Sequence, residues 1–391
     1  MASTVYFCAL FNRQSELLAA GIDNSGRIVQ SLYLPGRSIY NIERSVSKLR
    51  CWLEKLLVSD KILVTNNFKS ILHGFDLPLP KNKLRVFDLF LPLPTTVPRT
   101  FEDAAKIVNG TIELMHKRKL QYWQYIAANA AVVYESLERR GILAGLMPQC
   151  PKWSQRTFSG RSKTTGFNLQ GTSDEDYISD PRGSQSDWLI NFDWRAADIR
   201  MAAILSGDEL LARISTETDP YTKLAMAVGG SRDECKFRLL RAINAIQTDD
   251  SILEAFPTMR RWMSECKEDL EDGRAVTSIL GRRFFDAARP RSAFNATMQG
   301  SIAHAMQLTI RRIWELDFRL LVETHDSVTV ACNKDLLKYV IRTIANLMCR
   351  PFKSILKNDP VFPVRVNIGK EWCKWKPYRL YTDVDQYRDI R

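Results

Sequence analysis

Only four histidines occur in the 391 residues, and the eight cysteines form no Cys-x-x-Cys pair. Zinc modules and disulfide scaffolds need such sets, so the chain argues against both, and unpaired thiols fit a reducing, cytoplasmic setting. No apolar run reaches the ~20 residues of a membrane-spanning helix. Residues 1–10 are apolar and uncharged, which reads as a first strand rather than a signal peptide. What the chain has in surplus is positive charge: 56 Lys and Arg against 44 Asp and Glu, a net +12. Such a balance favours a polyanion, because counterions released from nucleic acid drive binding; a solvated basic surface is the bland alternative.

The stretch from Asn191 to Asp208 organises the rest. Trp188, Ile190 and Phe192 alternate with their neighbours, so the approach to Asp193 reads as a half-buried strand. Ala196 to Leu205 is rich in helix formers and stops at Ser206-Gly207. Asp193 then stands at a strand-to-helix junction, a place suited to a divalent cation that takes one or two carboxylates plus phosphate oxygens and water. A capping Asp is the ordinary alternative. A second carboxylate shifts that balance. Leu320–Val322 and Val328–Val330 are β-rich runs that flank His325-Asp326, a hairpin with His-Asp at its tip. Two metals about 3.5–4 Å apart on such carboxylates would clamp the attacking and leaving oxygens of a phosphoryl transfer.

These residues carry a resemblance to the family A DNA polymerases, the DNA polymerase I superfamily. Residues 193–208 resemble the family's motif A, and His325-Asp326 its motif C. Between and around them, in the family's order, lie four more matches. Ser159 to Gln170 resembles the TGR…NLQ segment, Arg232-x-x-x-Lys236 the start of the fingers helix, Leu280-Gly-Arg-Arg283 the FGRR turn, and Arg291 to Gly300 the R-x-A-x-N-x-x-x-Q-G helix. The resemblance spans residues 156–372. There are departures. Gly171 stands where an Asn is usual, Leu240 replaces an aromatic, Asn244-Ala245 replaces Tyr-Gly, and Asp198 replaces a Glu, one methylene shorter.

The resemblance implies an α+β right-hand polymerase fold: an antiparallel palm sheet, helical fingers and a short helical thumb. The expected division is an N-terminal α/β domain at 1–100, a thumb-like region at 101–150, palm at 151–228 and 291–391, and fingers at 229–290. It implies two Mg²⁺, with Mn²⁺ able to substitute, on Asp193 and Asp326. Arg232 and Lys236 would act with them in catalysis and hold the triphosphate, beside Leu240 and the sugar-facing Asp198. Primer–template DNA would meet Arg161, Asn168, Gln170, Arg282, Arg283, Arg291, Gln299 and His325. The substrates would be deoxynucleoside triphosphates, with no membrane partner. A single-subunit RNA polymerase-like or ribonucleotide-tolerant enzyme is the first alternative, and a non-catalytic DNA-binding protein on a polymerase fold the second.

The first block reads as strands at Val5–Leu10, Leu17–Ile22, Arg27–Leu34, Lys61–Thr65 and Leu84–Leu91, a turn at Asp23–Gly26 and an amphipathic helix over Asn41–Val58. In the family this block is often a 3′–5′ exonuclease of ribonuclease H-like fold. Val64 to Ser70 faintly resembles one of its motifs, but Ser70 stands where an Asp is needed, and the first strand has no Asp-x-Glu pair. A degenerate exonuclease and an unrelated α/β domain are both open readings; either leaves the chain without proofreading. Further along, a helix is expected over Phe101–Gly145, a loop over Thr157–Asp187, and a capping box at Ser231–Glu234 that aligns Arg232, Lys236, Leu240 and Ile243 on one stripe. The closing strand is expected within Val364–Trp372.

Overall fold

The computed structural model describes residues 6–11, 17–22, 28–34, 62–65, 86–88, 122–144, 147–155, 157–169, 178–179, 187–217, 219–286, 288–356, 360–372, 374 and 376–381, with single positions at 50, 51, 53, 54, 72 and 79. The helix expected over 41–58 is described only at 50, 51, 53 and 54, all helical. The turn at 23–26, the Ser70 position and Gln170 lie outside the described residues. The chain forms two compact units, Met1–Arg139 and Arg140–Arg391.

The first unit holds a five-stranded sheet of β1 (Tyr6–Phe11), β2 (Leu17–Ile22), β3 (Ile28–Leu34), β4 (Ile62–Thr65) and β5 (Val86–Asp88), in the order β3-β2-β1-β4-β5. The first three run antiparallel through short connections, and β4 and β5 add in parallel. Parallel pairing needs a crossover longer than a hairpin, and the long β3-to-β4 connection supplies it.

Helix α1 (Tyr122–Arg140) carries an alanine-rich stretch, 127–131, that is wholly buried. It ends at Gly141, whose φ is 68°. A Cβ there would stand 2.7 Å from the Gln149 carbonyl oxygen, so glycine both adopts the left-handed backbone and admits the close approach. The helix expected to reach Gly145 therefore stops early. β6 (Ile142–Ala144) and β7 (Met147–Gln149) follow as an antiparallel pair, which β10 (Ile178–Ser179) extends. The expected loop 157–187 likewise contains a strand besides β10: β9 (Lys163–Thr165), paired with β8 (Lys152–Ser154).

The larger unit is built on an all-antiparallel sheet. Its strands are β11 (Trp188–Trp194), β14 (Arg319–Thr324), β15 (Ser327–Cys332), β16 (Val364–Gly369) and β17 (Lys376–Tyr381), in the order β14-β15-β11-β16-β17. The closing strand β16 is thus not an edge; β17, which the sequence reading did not include, lies outside it. Along β11, Ile190, Phe192 and Trp194 are buried while Asn191 and Asp193 are less so. This is the period-two signature of a sheet with one core face. Val328, Val330, Val364 and Val366 are buried too. Helix α7 (Pro290–Glu315) packs against β14, and α8 (Leu337–Cys349) against β11 and β16. Trp194 Nε1 donates to the Met348 carbonyl of α8 at 2.9 Å, which fixes the core face. Trp194→Ala would cost about 3–5 kcal/mol and tilt the strand that ends beside Asp193.

On the other face, polar residues align across the strands. Asn191 sits between Thr329 and Asn367, hydrogen-bonded to both at 3.2 and 3.4 Å. Asp193 sits two residues on, between Ser327 and Arg365. After β11 come α2 (Ala197–Ser206), α3 (Glu209–Ser215), α4 (Pro220–Val228), α5 (Arg232–Ala245) and α6 (Pro257–Glu271). The short strands β12 (Val276–Thr277) and β13 (Arg283–Phe284) then lead into α7. The small residues of α7 do admit close packing. A Cβ on Gly300 would lie 2.7 Å from the Phe284 ring and 3.0 Å from the Ser159 carbonyl.

Candidate active site

Backbone register brings the two carboxylates together. Asp193 pairs with Ser327, the residue after Asp326, and the next amide, Trp194 N–H, donates to the Asp326 carbonyl at 3.0 Å. Asp326 occupies the tight turn between β14 and β15, where Asp326 N–H bonds the Thr324 carbonyl at 2.5 Å and the Thr324 and Ser327 hydroxyls meet at 2.6 Å. Burial, then the neighbouring Asp326, push the Asp193 carboxyl up to about 7, against the pull of Arg365 and Arg195. Burial raises Asp326 as well; Arg161 opposes this and Asp198 adds to it. Two carboxylates driven towards protonation by desolvation and by neighbouring carboxylates are relieved by a hard divalent cation, and oxygen donors suit one. Among the described residues no third Asp, Glu, His or Cys completes a closed metal cage, so phosphate oxygens and water would complete the coordination.

Both carboxylates are flanked by strained backbone. His325 has φ 53° and Ala196, three residues after Asp193, also has φ 53°. Left-handed backbone at non-glycine residues costs about 1–2 kcal/mol each and concentrates at functional sites. Ala196 starts α2 without a side-chain cap. His325 is half-buried, and burial and then Arg161 lower its pKa, which keeps the ring neutral.

A loop at 157–162 delivers Arg161 to this turn. Its guanidinium lies 3.9 Å from the Asp198 carboxylate, which the first turn of α2 presents half-exposed. The loop is held from several sides. Ser162 Oγ donates to the Glu323 carboxylate, Gln307 Nε2 to the Gly160 carbonyl at 3.1 Å, and Thr157 Oγ1 to the Arg161 carbonyl at 2.7 Å. Arg282 completes the grip, donating through Nη2 to the Phe158 carbonyl at 2.9 Å and through Nη1 to the Ser159 carbonyl at 3.0 Å. This corrects the expectation that Arg282 meets DNA. It is only 3% exposed, lies over the Phe284 ring at 5.0 Å, and burial brings its pKa down to about 10. Its neighbour Arg283 is exposed. Arg282 turns inward because Gly160 leaves room for it: a Cβ on Gly160 would lie 2.2 Å from Arg282 Nη1.

Across from the sheet, Asp219 caps α4 and Ser231 caps α5, accepting from the Glu234 amide at 3.2 Å. Arg232 and Lys236 occupy the exposed first turns of α5. Their stripe continues to half-exposed Leu240 but not to Ile243, which is fully buried because the helix rotates that position into the core. Both cations lie over the Tyr221 ring, at 5.5 and 5.1 Å. Arg232 Nε donates to Asp219 Oδ2 at 2.9 Å. Burial works to raise the Asp219 carboxyl, but bonds from Arg232 and Thr222 outweigh it and hold it down at about 2. Burial, then Asp198, push the Tyr221 hydroxyl up to about 12.

No protein-family model matches the chain. Curated relatives do. DNA polymerase I, thermostable, of Thermus aquaticus is 24% identical over 274 residues, 56% of this chain and 32% of its own length. DNA polymerase theta of Caenorhabditis elegans is 26% identical over 221 residues, 48% of this chain and 14% of its own length. The chain is thus similar in sequence to parts of DNA polymerases I and theta. Its matches span about a third or less of these relatives' lengths. A solved structure, the POL domain of Pol1 from M. smegmatis in complex with DNA primer-template and dNTP, aligns at 17% identity with a TM-score of 0.48, covering 85% of this chain and 65% of that one.

Among the other residues singled out through the family A resemblance, Asn168 and Arg283 are exposed and Gln299 half-buried. Arg291 is exposed, with one bond the sequence did not foresee. Its Nε and Asn295 Nδ2 both donate to the Asn244 carbonyl, at 3.0 and 2.9 Å, satisfying the C-terminal end of α5. The family A pattern did not single out Arg195, Arg365, Tyr221 or Asp219. Alternation along β16 could have flagged Arg365, since it falls opposite Asp193; no sequence signal reveals the ring beneath Arg232 and Lys236.

Proposed function

We propose that the chain is a template-directed DNA polymerase that extends a primer 3′-OH with deoxynucleoside triphosphates. One observation carries this reading: Asp193 and Asp326, 133 positions apart in the sequence, meet in register at one end of an antiparallel sheet. In this reading the sheet is the palm, α4 to α6 belong to the fingers, and the region around α1 is the short thumb. The strand order of the first unit supports a ribonuclease H-like sheet there, and β1, Tyr-Phe-Cys-Ala-Leu-Phe, offers no carboxylate for a proofreading site.

Divalent cations bound by the two carboxylates, Mg²⁺ in this reading, would supply charge neutralisation and a more acidic 3′-OH. The chain's own residues do the rest. Asp193 and Asp326 hold their positions through the backbone ladder, so the site is organised before substrate arrives. Arg232 and Lys236 attract the triphosphate from the first turns of α5, where the helix N-terminus adds its own positive end. Asp198 faces the sugar. Neutral His325 and Arg161 flank the primer end. This is positioning and electrostatics, with no general base among the protein groups.

Extension of a labelled primer on a DNA template with Mg²⁺ tests the reading, alongside Asp193→Ala and Asp326→Ala. Extension by the wild type and its loss in both variants is the expected result. Wild-type protein that binds primer–template but never extends it would leave the non-catalytic alternative standing.

A further inference from the structure

We infer that the sheet itself carries a second phosphate-binding pair, Arg195 and Arg365, which holds the diphosphate end of the nucleotide and then the released pyrophosphate. The inference rests on the polymerase reading and adds residues to it that neither the sequence motifs nor the α5 cations supply.

Register places the pair. Arg365 is the direct cross-strand partner of Asp193, so both side chains leave the same face of the sheet, with Cβ atoms about 5 Å apart. Arg195 lies two residues beyond Asp193, and its amide donates to the Pro363 carbonyl at 2.8 Å, extending the same ladder. Alternation returns Arg195 to the face of Asp193, diagonal to Arg365. The two guanidiniums are close enough to repel each other. Among the described residues neither guanidinium forms an ion pair or a side-chain hydrogen bond. Arg232, by contrast, is held by Asp219 and Asp233, and Arg161 by Asp198.

Asp193 attracts both arginines and Asp219 attracts Arg195, but a divalent cation on Asp193 would take up its charge, and an anion bridging the two guanidiniums would then balance them. Guanidinium forks match phosphate oxygens bidentately, so the anion chemistry is phosphate. Its source follows from the neighbours. Arg195 lies among Asp193, Asp219 and Arg232, on the α4–α5 side. Arg161 and His325 surround Asp326 on the other. The nucleotide's β- and γ-phosphates belong to the first side and a primer phosphate to the second.

The test uses the full chain with Mg²⁺, inorganic pyrophosphate as probe, and the variants Arg195→Gln, Arg365→Gln and both together. Product inhibition of primer extension should weaken roughly tenfold per single variant and further in the double, with KM for the nucleotide rising in parallel and primer–template affinity unchanged. The pyrophosphate-induced rise in melting temperature should shrink in the same order, and Arg→Lys variants should recover only part of it. Pyrophosphate effects that survive the double variant overturn the inference. So does weakened primer–template binding with pyrophosphate unaffected, which would assign the pair to a DNA phosphate. Wild-type protein that is stabilised by pyrophosphate through these arginines but extends nothing would overturn the polymerase reading alone.

Discussion

The two sides of the site are held in place by different forces. Asp193 and Asp326 are fixed by backbone: one lies inside a strand paired on both sides, the other in a two-residue turn bonded to the next strand. Arg232 and Lys236 are fixed by a cap, an aromatic ring and the exposed ion pairs of Arg232 with Asp219 and Asp233. Exposed pairs contribute about 0–1 kcal/mol, whereas the ladder cannot yield locally without unpairing strands. The carboxylates are therefore a rigid anvil, while Arg232 is held by contacts weak enough to exchange for another anion.

The largest effect should come from the rigid side. Asp326→Asn keeps the turn's shape but removes the charge that anchors the cations, and primer extension should fall by about a thousandfold or more, the several kcal/mol a metal-assisted step supplies. A smaller loss would mean the carboxylate is structural.

The neighbouring arginines give the next contrast. Arg282→Ala leaves the buried Ser159 carbonyl and the part-buried Phe158 carbonyl without their donor and should destabilise by about 2–4 kcal/mol. Arg283→Ala, on the exposed neighbour, should stay within about 0.5 kcal/mol. Denaturant unfolding measures both, and equal effects would contradict the inward grip on the Arg161 loop.

Third is pH. The Asp193 carboxyl is raised in the fold to about 7 from its ordinary value near 4. Its ionised form is therefore disfavoured by folding, so the penalty is absent below about pH 4, grows as pH rises, and is complete above about 7. In metal-free protein, Asp193→Asn should unfold like the wild type at pH 4 and be more stable at pH 8 by about 2–4 kcal/mol. Melting curves in chelator at both pH values check this; a mutant that is less stable at pH 8 reverses the sign and removes the case for paired, repelling carboxylates.

Smaller still is Asp219→Asn, which keeps the cap on α4 but releases Arg232. Stability should change by less than about 1 kcal/mol. The nucleotide KM should fall a few-fold if the Asp219 pair competes with the triphosphate, and a rise would show that Asp219 instead positions Arg232. Last, Asp198→Glu restores the missing methylene and should shift the ratio of deoxy- to ribonucleotide incorporation towards deoxynucleotides by a few-fold. An unchanged ratio would separate Asp198 from sugar selection.

Residues with local causes were legible in advance. The alternation along Trp188–Trp194, the His325-Asp326 hairpin, the Ser231 cap and the small-residue face of α7 each follow from short-range geometry, and each stands where the sequence places it. The inward turn of Arg282 and the Nε bond of Arg291 to Asn244 were not foreseen, for one reason. Both lie in segments that read as basic and exposed, and whether a guanidinium points to solvent or to a carbonyl depends on what folds against it. For Arg282 that was a loop more than a hundred residues earlier, with a glycine that left space. β17 was missed because nothing in its sequence signals that β16 still has an open edge.

By itself the sequence determined the strands that flank the two acidic residues, the Ser231 cap and those acidic residues themselves, because propensity, alternation and turn chemistry act over a few neighbours. Only the tertiary structure decided that Asp193 faces Arg365, that Tyr221 lies beneath two cations and that Arg282 is buried. Those are outcomes of strand register and of packing between distant segments, and neither is encoded within any one stretch of the chain.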